Sequence, residues 1–429
     1  MAELTPAGSR LSEALLPREL APRELLRAPA VSRWNALRGV RVGLTVSVLL
    51  LLMIGANLAT PLYPALQRSL HLTSVDTTVL FTVYVFALIP VLLAVGHWSD
   101  HLGRRAMVLP AVALAAGGDL IFASAHSLAQ LAAGRAVQGI AVGLTTAAAG
   151  AALADLLPDK PSAAAKLTLA ASAGGVALGP LLGATLAVGS DPLVTPFVTH
   201  AIALLALCVP LLILHPRAPG QEPAVHPRPP LPLRPRAFHL PTRGRRPFLL
   251  TAATGFTSYA VFGVYLSLAP SYAATLLHTR DPLAGAAVAA LLLGSSAITQ
   301  LLARPTRRRT VPAMGLTGLA LGLALVVLAG YAHQPALLFI GSLLAGVSQG
   351  LAFRALFTQA TAAMDPDRRG SQLSALWVVV YLGSSVPTIS VGILAQKYGI
   401  LPAVSIFAAA AGLACIAIAA ATLRRDRSQ

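Results

Sequence analysis

Twelve stretches of about twenty residues or more, each nearly free of charge, follow one another along this chain, near 43–66, 75–96, 106–125, 128–153, 164–188, 195–215, 248–275, 282–303, 311–332, 335–361, 372–395 and 401–422. A helix needs about 20 apolar residues to cross the hydrocarbon core of a bilayer, and only helices and closed barrels can satisfy their own backbone there. Continuous rather than alternating apolar character selects helices. The expected fold is therefore an all-α integral membrane protein with twelve transmembrane helices, arranged as two six-helix halves. Composition agrees. The apolar set without glycine is 56% and the charged set 11%, against about 45–50% (glycine included) and about 25% in soluble domains. A single water-soluble core is excluded.

The formal charge of +17 raises the question of nucleic acid until the positions of the charges are read. With the N-terminus placed inside, 27 of the 32 basic residues fall in segments on that side, three (Arg68, Arg280, Lys397) on the other, and Arg135 and Arg354 within apolar runs. Cytoplasmic loops hold the excess of Lys and Arg, so both termini are expected in the cytoplasm, in the cytoplasmic (inner) membrane. The same map accounts for the charge with no nucleic-acid partner. None of the three lysines (Lys160, Lys166, Lys397) stands in a Walker A context. Cys208 and Cys415 lie in apolar runs, which speaks against a disulfide framework or a zinc site. No cofactor, metal or enzymatic activity is expected, because no ligand cluster or nucleophile–base pair stands out.

The domain reading has a cytoplasmic tail (1–42), a first bundle (43–215), a cytoplasmic linker (216–247), a second bundle (248–422) and a short C-terminal tail (423–429). The tail contains a small repeat, Leu16-Pro17-Arg18-Glu19-Leu20 and Ala21-Pro22-Arg23-Glu24-Leu25, and no apolar core before about residue 43, unlike a cleavable signal peptide. It reads as disordered, or as an amphipathic helix lying on the membrane surface. The linker is rich in Pro and Arg and sits at the midpoint. Gln138-Gly139-Ile140-Ala141 in span 4 reappears 211 residues later as Gln349-Gly350-Leu351-Ala352 in span 10, the matching place of the second half.

Several motifs carry a family resemblance. Gly96-His97-Trp98-Ser99-Asp100-His101-Leu102-Gly103-Arg104-Arg105 resembles the G-x-x-x-D-[RK]-x-G-[RK]-[RK] loop of the major facilitator superfamily, secondary transporters built from two six-helix halves. His101 departs from the usual Arg or Lys. Arg135-Ala136-Val137-Gln138-Gly139 is similar to the R-x-x-Q-G element of proton-linked members. Gly175-Val176-Ala177-Leu178-Gly179-Pro180-Leu181-Leu182-Gly183 resembles the G-x-x-x-G-P-x-x-G signature associated with antiporters. Asn57 to Pro64 looks like the family's first helix, except that Asn57 stands in a helix where many drug and proton antiporters place an acid.

The resemblance implies alternating access to a central cavity lined by spans 1, 4, 7 and 10. It makes Gly96, Asp100, Gly103, Arg104 and Arg105 a conformational latch against span 11. Gly175, Gly179, Pro180 and Gly183 become the antiporter motif, whose small residues serve equally for ordinary close packing. Candidate substrate contacts are Asn57, Gln138, Tyr259, Tyr265, Gln349 and Arg354, with Trp377 and Tyr381 bordering the cavity from span 11. Aromatics at helical spacing also serve as packing or interface belt. Few acids and mixed apolar and aromatic walls suit an amphipathic or weakly anionic solute. The function implied is proton-coupled efflux of small organic compounds or drugs, the partners being a small-molecule substrate, protons and the lipid bilayer, with the protein a monomer. An uptake symporter, a facilitator and a non-transporting sensor or scaffold are the alternatives.

Of fifteen acidic residues, only Asp119 falls deep within an apolar run. The loop between spans 3 and 4 is short, near His126 and Ser127, so these helices are antiparallel neighbours. Asp119 and Arg135 then lie at equal depth, roughly 10 to 12 Å from the helix ends at about 1.5 Å per residue. An ionisable residue inside a membrane helix is a functional-site hypothesis. The pair is expected either to couple protons to transport or to form a static ion pair.

Overall fold

A computed structural model describes residues 36–95, 104–189, 191–214, 244–304, 306, 308–365 and 368–424. The tail, most of the linker, the C-terminal residues and the latch positions Gly96, Asp100 and Gly103 lie outside the described residues. Among the described residues the chain forms fourteen α-helices and one 3₁₀ turn.

The first half holds α1 (Arg38–Asn57), α2 (Tyr63–Ser69), α3 (Ser74–Val95), α4 (Arg104–Ala123), α5 (Leu128–Leu156), α6 (Pro161–Leu186) and α7 (Thr195–Ile213). The second holds α8 (Arg245–Ser267), α9 (Ala269–Leu276), α10 (Pro282–Leu302), α11 (Thr310–Tyr331), α12 (Pro335–Ala363), α13 (Arg369–Tyr398) and α14 (Ile400–Leu423). Eleven spans are long and apolar enough to cross a membrane, and the twelfth, within α4, has a shorter apolar stretch, Met107–Ala123.

Two apolar runs prove to be broken helices. The run 43–66 is α1 and α2 joined by the 3₁₀ turn Thr60–Leu62, because Pro61 and Pro64 withhold two backbone donors in succession. The run 248–275 is α8 and α9, parted at Leu268 just before Pro270. Helix starts are marked by local chemistry. Thr73 and Asp76 cap each other at the start of α3, where the Thr73 backbone N–H donates to Asp76 Oδ2 at 2.7 Å and the Asp76 N–H donates to Thr73 Oγ1 at 3.2 Å. Asp281 accepts from the Leu283 N–H at 2.9 Å before α10.

Periodicity decides which face of each helix is inward. On α7, Phe197, His200, Ala201, Leu204 and Leu211 are buried, while Leu205, Val209 and Leu212 are exposed. The buried set recurs at the 3.6-residue spacing and its complement is an apolar outer surface of the kind lipid covers. Between the halves, α3 packs on α13 and α6 on α10. Further bridges gather at the end of the bundle that carries α2 and α9: Ser271 Oγ donates to Gln67 Oε1 at 3.2 Å. A cavity of about 220 Å³ there is lined by Pro61, Arg68, Pro270, Arg280 and Asp281 among others. At the opposite, arginine-rich end Arg38 pairs with Asp159, Arg104 with Asp155, and Arg309 donates to the Arg424 carbonyl.

Candidate functional site

The first half contains a buried polar chain that crosses four helices. Asp119 on α4, Arg135 and Gln138 on α5, and His200 on α7 are all at most 5% exposed. Arg135 Nη1 donates to Gln138 Oε1 at 2.8 Å, and Gln138 Nε2 donates to Asp119 Oδ1 at 2.7 Å. Because a guanidinium can only donate, Arg135 dictates which end of the Gln138 amide faces it, and so turns the NH₂ toward Asp119. Asp119 Oδ2 lies 2.6 Å from His200 Nδ1, and His200 Nε2 lies 2.9 Å from the Leu51 carbonyl on α1. Arg135 also donates to the Ala56 carbonyl at 2.8 Å, and its guanidinium sits 4.6 Å from the centroid of the Tyr84 ring on α3, a cation–π contact.

The expected direct pairing of Asp119 with Arg135 is corrected: Gln138 stands between them and the carboxylate's ionisable neighbour is His200. Depth along the helix axis leaves the angle around the helix open. The backbones of α4 and α5 approach closely at Gly118 and Gly134, where a Cβ on Gly118 would lie 3.1 Å from the Gly134 carbonyl oxygen. That contact turns Gln138, one helical turn beyond Gly134, toward α4, while Arg135 swings toward α1 and α3. Gly139 completes the arrangement, since a Cβ there would sit 2.2 Å from the Tyr84 carbonyl oxygen. The R-x-x-Q-G element thus has a geometric meaning: Arg and Gln form the chain of bonds, and Gly lets α3 come close enough to lay Tyr84 against Arg135.

The second half contains an aromatic cluster instead. Tyr259 on α8 has ring centroids of Phe353, Trp377 and Tyr381 at 6.2, 6.0 and 6.0 Å, and Phe357 stacks on Phe353 at 5.5 Å. These separations are in the range where aromatic pairs attract beyond burial alone. On the same helices Thr254 Oγ1, Ser258 Oγ, Arg354 Nε and Gln372 Oε1 are buried and make no hydrogen bond. Arg354 follows Phe353 on α12, and among the described residues it has no carboxylate partner. The two halves meet where α3, the helix of Tyr84, packs on α13, the helix of Trp377 and Tyr381.

The structure therefore brings together Tyr259, Trp377 and Tyr381, with Arg354 beside Phe353. It places the other candidates elsewhere. Gln138 belongs to the polar chain. Asn57 is buried at the seam of α1 and α6, where its Nδ2 donates to the Met53 carbonyl at 3.2 Å. Tyr265 is bonded to Ser342 at 3.0 Å inside the second half, and Gln349 accepts from Ser296. Of the latch, Arg104 donates to Asp155 Oδ2 at 2.9 Å. The α6 glycines meet α1 directly: a Cβ on Gly175, Gly179 or Gly183 would lie 2.1 to 2.7 Å from the carbonyl oxygens of Leu50, Ile54 or Leu58. His200 is not among the expected site residues, although an ionisable ring within the apolar run 195–215 is a signal the sequence carries. Tyr84, Phe353 and Phe357 carried no such signal.

A twelve-span bundle in two similar halves, with polar and aromatic groups at its centre and no metal-ligating cluster among the described residues, defines a membrane transport protein. Sequence comparison makes this specific. The profile of the Major Facilitator Superfamily matches residues 45–388, and the chain belongs to that family, a multi-pass transporter and not an enzyme. Among curated proteins it is similar to the bacillibactin exporter of Bacillus subtilis (strain 168), 32% identical over 155 residues, a match covering 33% of this chain and 37% of that one. Among solved structures it resembles a bacterial homolog of the human lysosomal transporter Spinster. The inward-facing, unoccupied form superposes with a TM-score of 0.69 at 16% identity over 90% of this chain and 95% of that one. The inward-facing, occupied form gives 0.66 at 15% identity over 90% and 94%. At such identities the likeness speaks for the fold.

Proposed function

We propose that this protein is a proton-coupled antiporter that exports small organic compounds across the cytoplasmic membrane by alternating access, working as a monomer with both termini in the cytoplasm. The observation that carries this reading is a buried ionisable chain in one half and, in the other, an aromatic cluster beside an arginine with no carboxylate partner among the described residues, the halves meeting where α3 packs on α13. Coupling needs a group that changes protonation and a group that binds solute, and these two sites lie in the two halves that rock against one another in this fold. Asp119 is the proton-accepting acid and Arg135 its electrostatic governor through Gln138. The substrate class is amphipathic, aromatic and neutral or weakly anionic. Tyr259, Trp377 and Tyr381 offer faces to stack on, with phenols that no hydrogen bond occupies, and Arg354 supplies the counter-charge.

Three further features support export. The α6 glycines resemble an antiporter signature and form a close seam with α1. A third of the chain is similar to an exporter. The halves are bonded at the α2–α9 end, through Ser271 and Gln67, and this supports a reading in which an exporter loads from the arginine-rich end, the cytoplasmic side by the distribution of basic residues.

The test is proton flux in liposomes containing the purified protein. An imposed gradient of an aromatic carboxylate should drive protons in the opposite direction, and Asp119→Asn should still bind the solute yet move no protons. Protons travelling with the solute would establish symport instead. Solute movement without any proton flux would leave a facilitator.

A further inference from the structure

The polar chain determines how many protons it holds. His200 is within hydrogen-bond distance of an acceptor on each side, Asp119 Oδ2 at 2.6 Å and the Leu51 carbonyl at 2.9 Å. The carbonyl cannot donate, so Nε2 must carry a hydrogen for that contact to be a bond. Nδ1 then either carries a second hydrogen and donates to an ionised carboxylate, or lacks one and accepts from a protonated carboxyl. Both arrangements place two protons on the His200–Asp119 pair. A single shared proton leaves a lone pair facing an oxygen on one side or the other. Asp119 Oδ1 is satisfied separately by Gln138 Nε2, so the count does not depend on it.

We propose that Asp119 and His200 form one proton-binding unit, and that in this conformation the unit is loaded, with His200 bonded at once to α4 and α1. This rests on the antiport reading of the same site and assigns its proton carrier to a pair rather than to a lone acid. Release of one proton to water converts a net neutral pair into a carboxylate and a neutral imidazole. The Nδ1–H bond to Asp119 is kept and the bond to Leu51 is lost, because Nε2 now presents a lone pair to the carbonyl oxygen. The carboxylate is then balanced by Arg135 through Gln138, so the chain passes from one net positive charge to none.

The lost bond is the one that ties α7 to α1. A Cβ on Gly55 would lie 2.4 Å from His200 Cε1, so the ring sits directly on the α1 backbone. The α1 helix is seated on the α6 glycines and continues into α2, beside α9 of the other half. Proton occupancy is thereby linked to the helix whose far end closes the bundle. The ionisable groups around the pair are few. The α4 and α5 helices contribute Arg104 and Asp155 at the arginine-rich end and Arg135 behind Gln138. The α1 helix has only Arg38 and Arg41 at its start, α6 only Lys166 near its own, and α7 itself only Cys208. Tyr84 and Tyr63 stand beyond, near Arg135.

Infrared difference spectroscopy of the full-length protein in lipid nanodiscs, recorded as pH is varied, tests this directly. In the wild type, the carboxyl band of Asp119 and the imidazole bands of His200 should change together in one step worth about one proton per protein. His200→Gln should abolish or shift the carboxyl step, and Asp119→Asn the imidazole step. Gly55→Ala keeps both groups but displaces the ring, and it should shift the midpoint of the joint step, which reads the same coupling should the other variants fail to fold. A carboxyl titration unchanged in both His200→Gln and Gly55→Ala overturns the proposal. Joint titration in a protein whose liposomes show no proton flux leaves the pair standing and removes the antiport reading.

Discussion

At the scale of single residues, Gln138 decides how a buried arginine and a buried acid coexist. Its amide links Arg135 to Asp119 with both ends used. Removing one member of a buried hydrogen-bonded pair leaves the other with its full desolvation cost, about 1–3 kcal/mol and more for charged groups. Gln138→Leu should therefore lower the thermal unfolding midpoint in detergent while the helical circular dichroism of the folded protein persists, and it should stop transport. A variant as stable and active as the wild type would show the bridge to be dispensable. In the other half, Arg354 faces no acid among the described residues. Arg354→Gln should weaken binding of an aromatic carboxylate about tenfold or more, as expected for loss of a charge-assisted bond of about 1.5–3 kcal/mol. Binding of the corresponding amide should change little, and equal losses for both ligands, measured by calorimetry, would assign Arg354 a packing role.

At the scale of helices, small residues set distances and distances set chemistry. Lipid supplies little hydrophobic drive for helix association, so contact rests on shape. The α1–α6 seam shows this: a Cβ on Gly179 would sit 2.7 Å from the Ile54 carbonyl oxygen and 2.9 Å from Asn57 Cβ. Gly179→Leu should push α6 off α1, cost about 1–3 kcal/mol of stability and impair exchange. Transport at wild-type rate in that variant would mean that the seam does not report the direction of transport. Span 4 and span 10 use their shared Gln-Gly in a parallel way. Gly139 lets α5 meet Tyr84 on α3, and Gly350 lets α12 meet the Ser296 carbonyl on α10. The glutamines diverge, since Gln138 finds an acid and Gln349 a serine hydroxyl with its Nε2 left unpartnered. The matching glutamines thus serve an acid in one half and a hydroxyl in the other.

At the scale of the molecule, the halves are joined where Gln67 and Ser271 meet, and an alternating-access cycle has to part them there. Gln67→Cys with Ser271→Cys should permit an oxidative cross-link that arrests transport and is reversed by reductant. Full activity of the cross-linked protein would show that this end need not open. One half holds the buried polar chain and the other the aromatic cluster, so relative motion of the halves is itself a change in distance between the two sites.

Much of this was legible in the residues. Apolar run length dictated the number of spans, because a bilayer sets a length that no packing alters. The family motifs identified the architecture, and deep burial of Asp119 and Arg135 followed from their positions in apolar runs. Helix breaks at Pro61 and Pro270 were less visible, since hydropathy does not register a missing backbone donor. What only the tertiary structure decided is who touches whom across helices. Sequence specifies depth along an axis, but rotation about that axis depends on where two backbones can approach most closely. Gly118 against Gly134 turned Gln138 rather than Arg135 toward Asp119, and Gly55 against His200 brought in a histidine from eighty-one residues away.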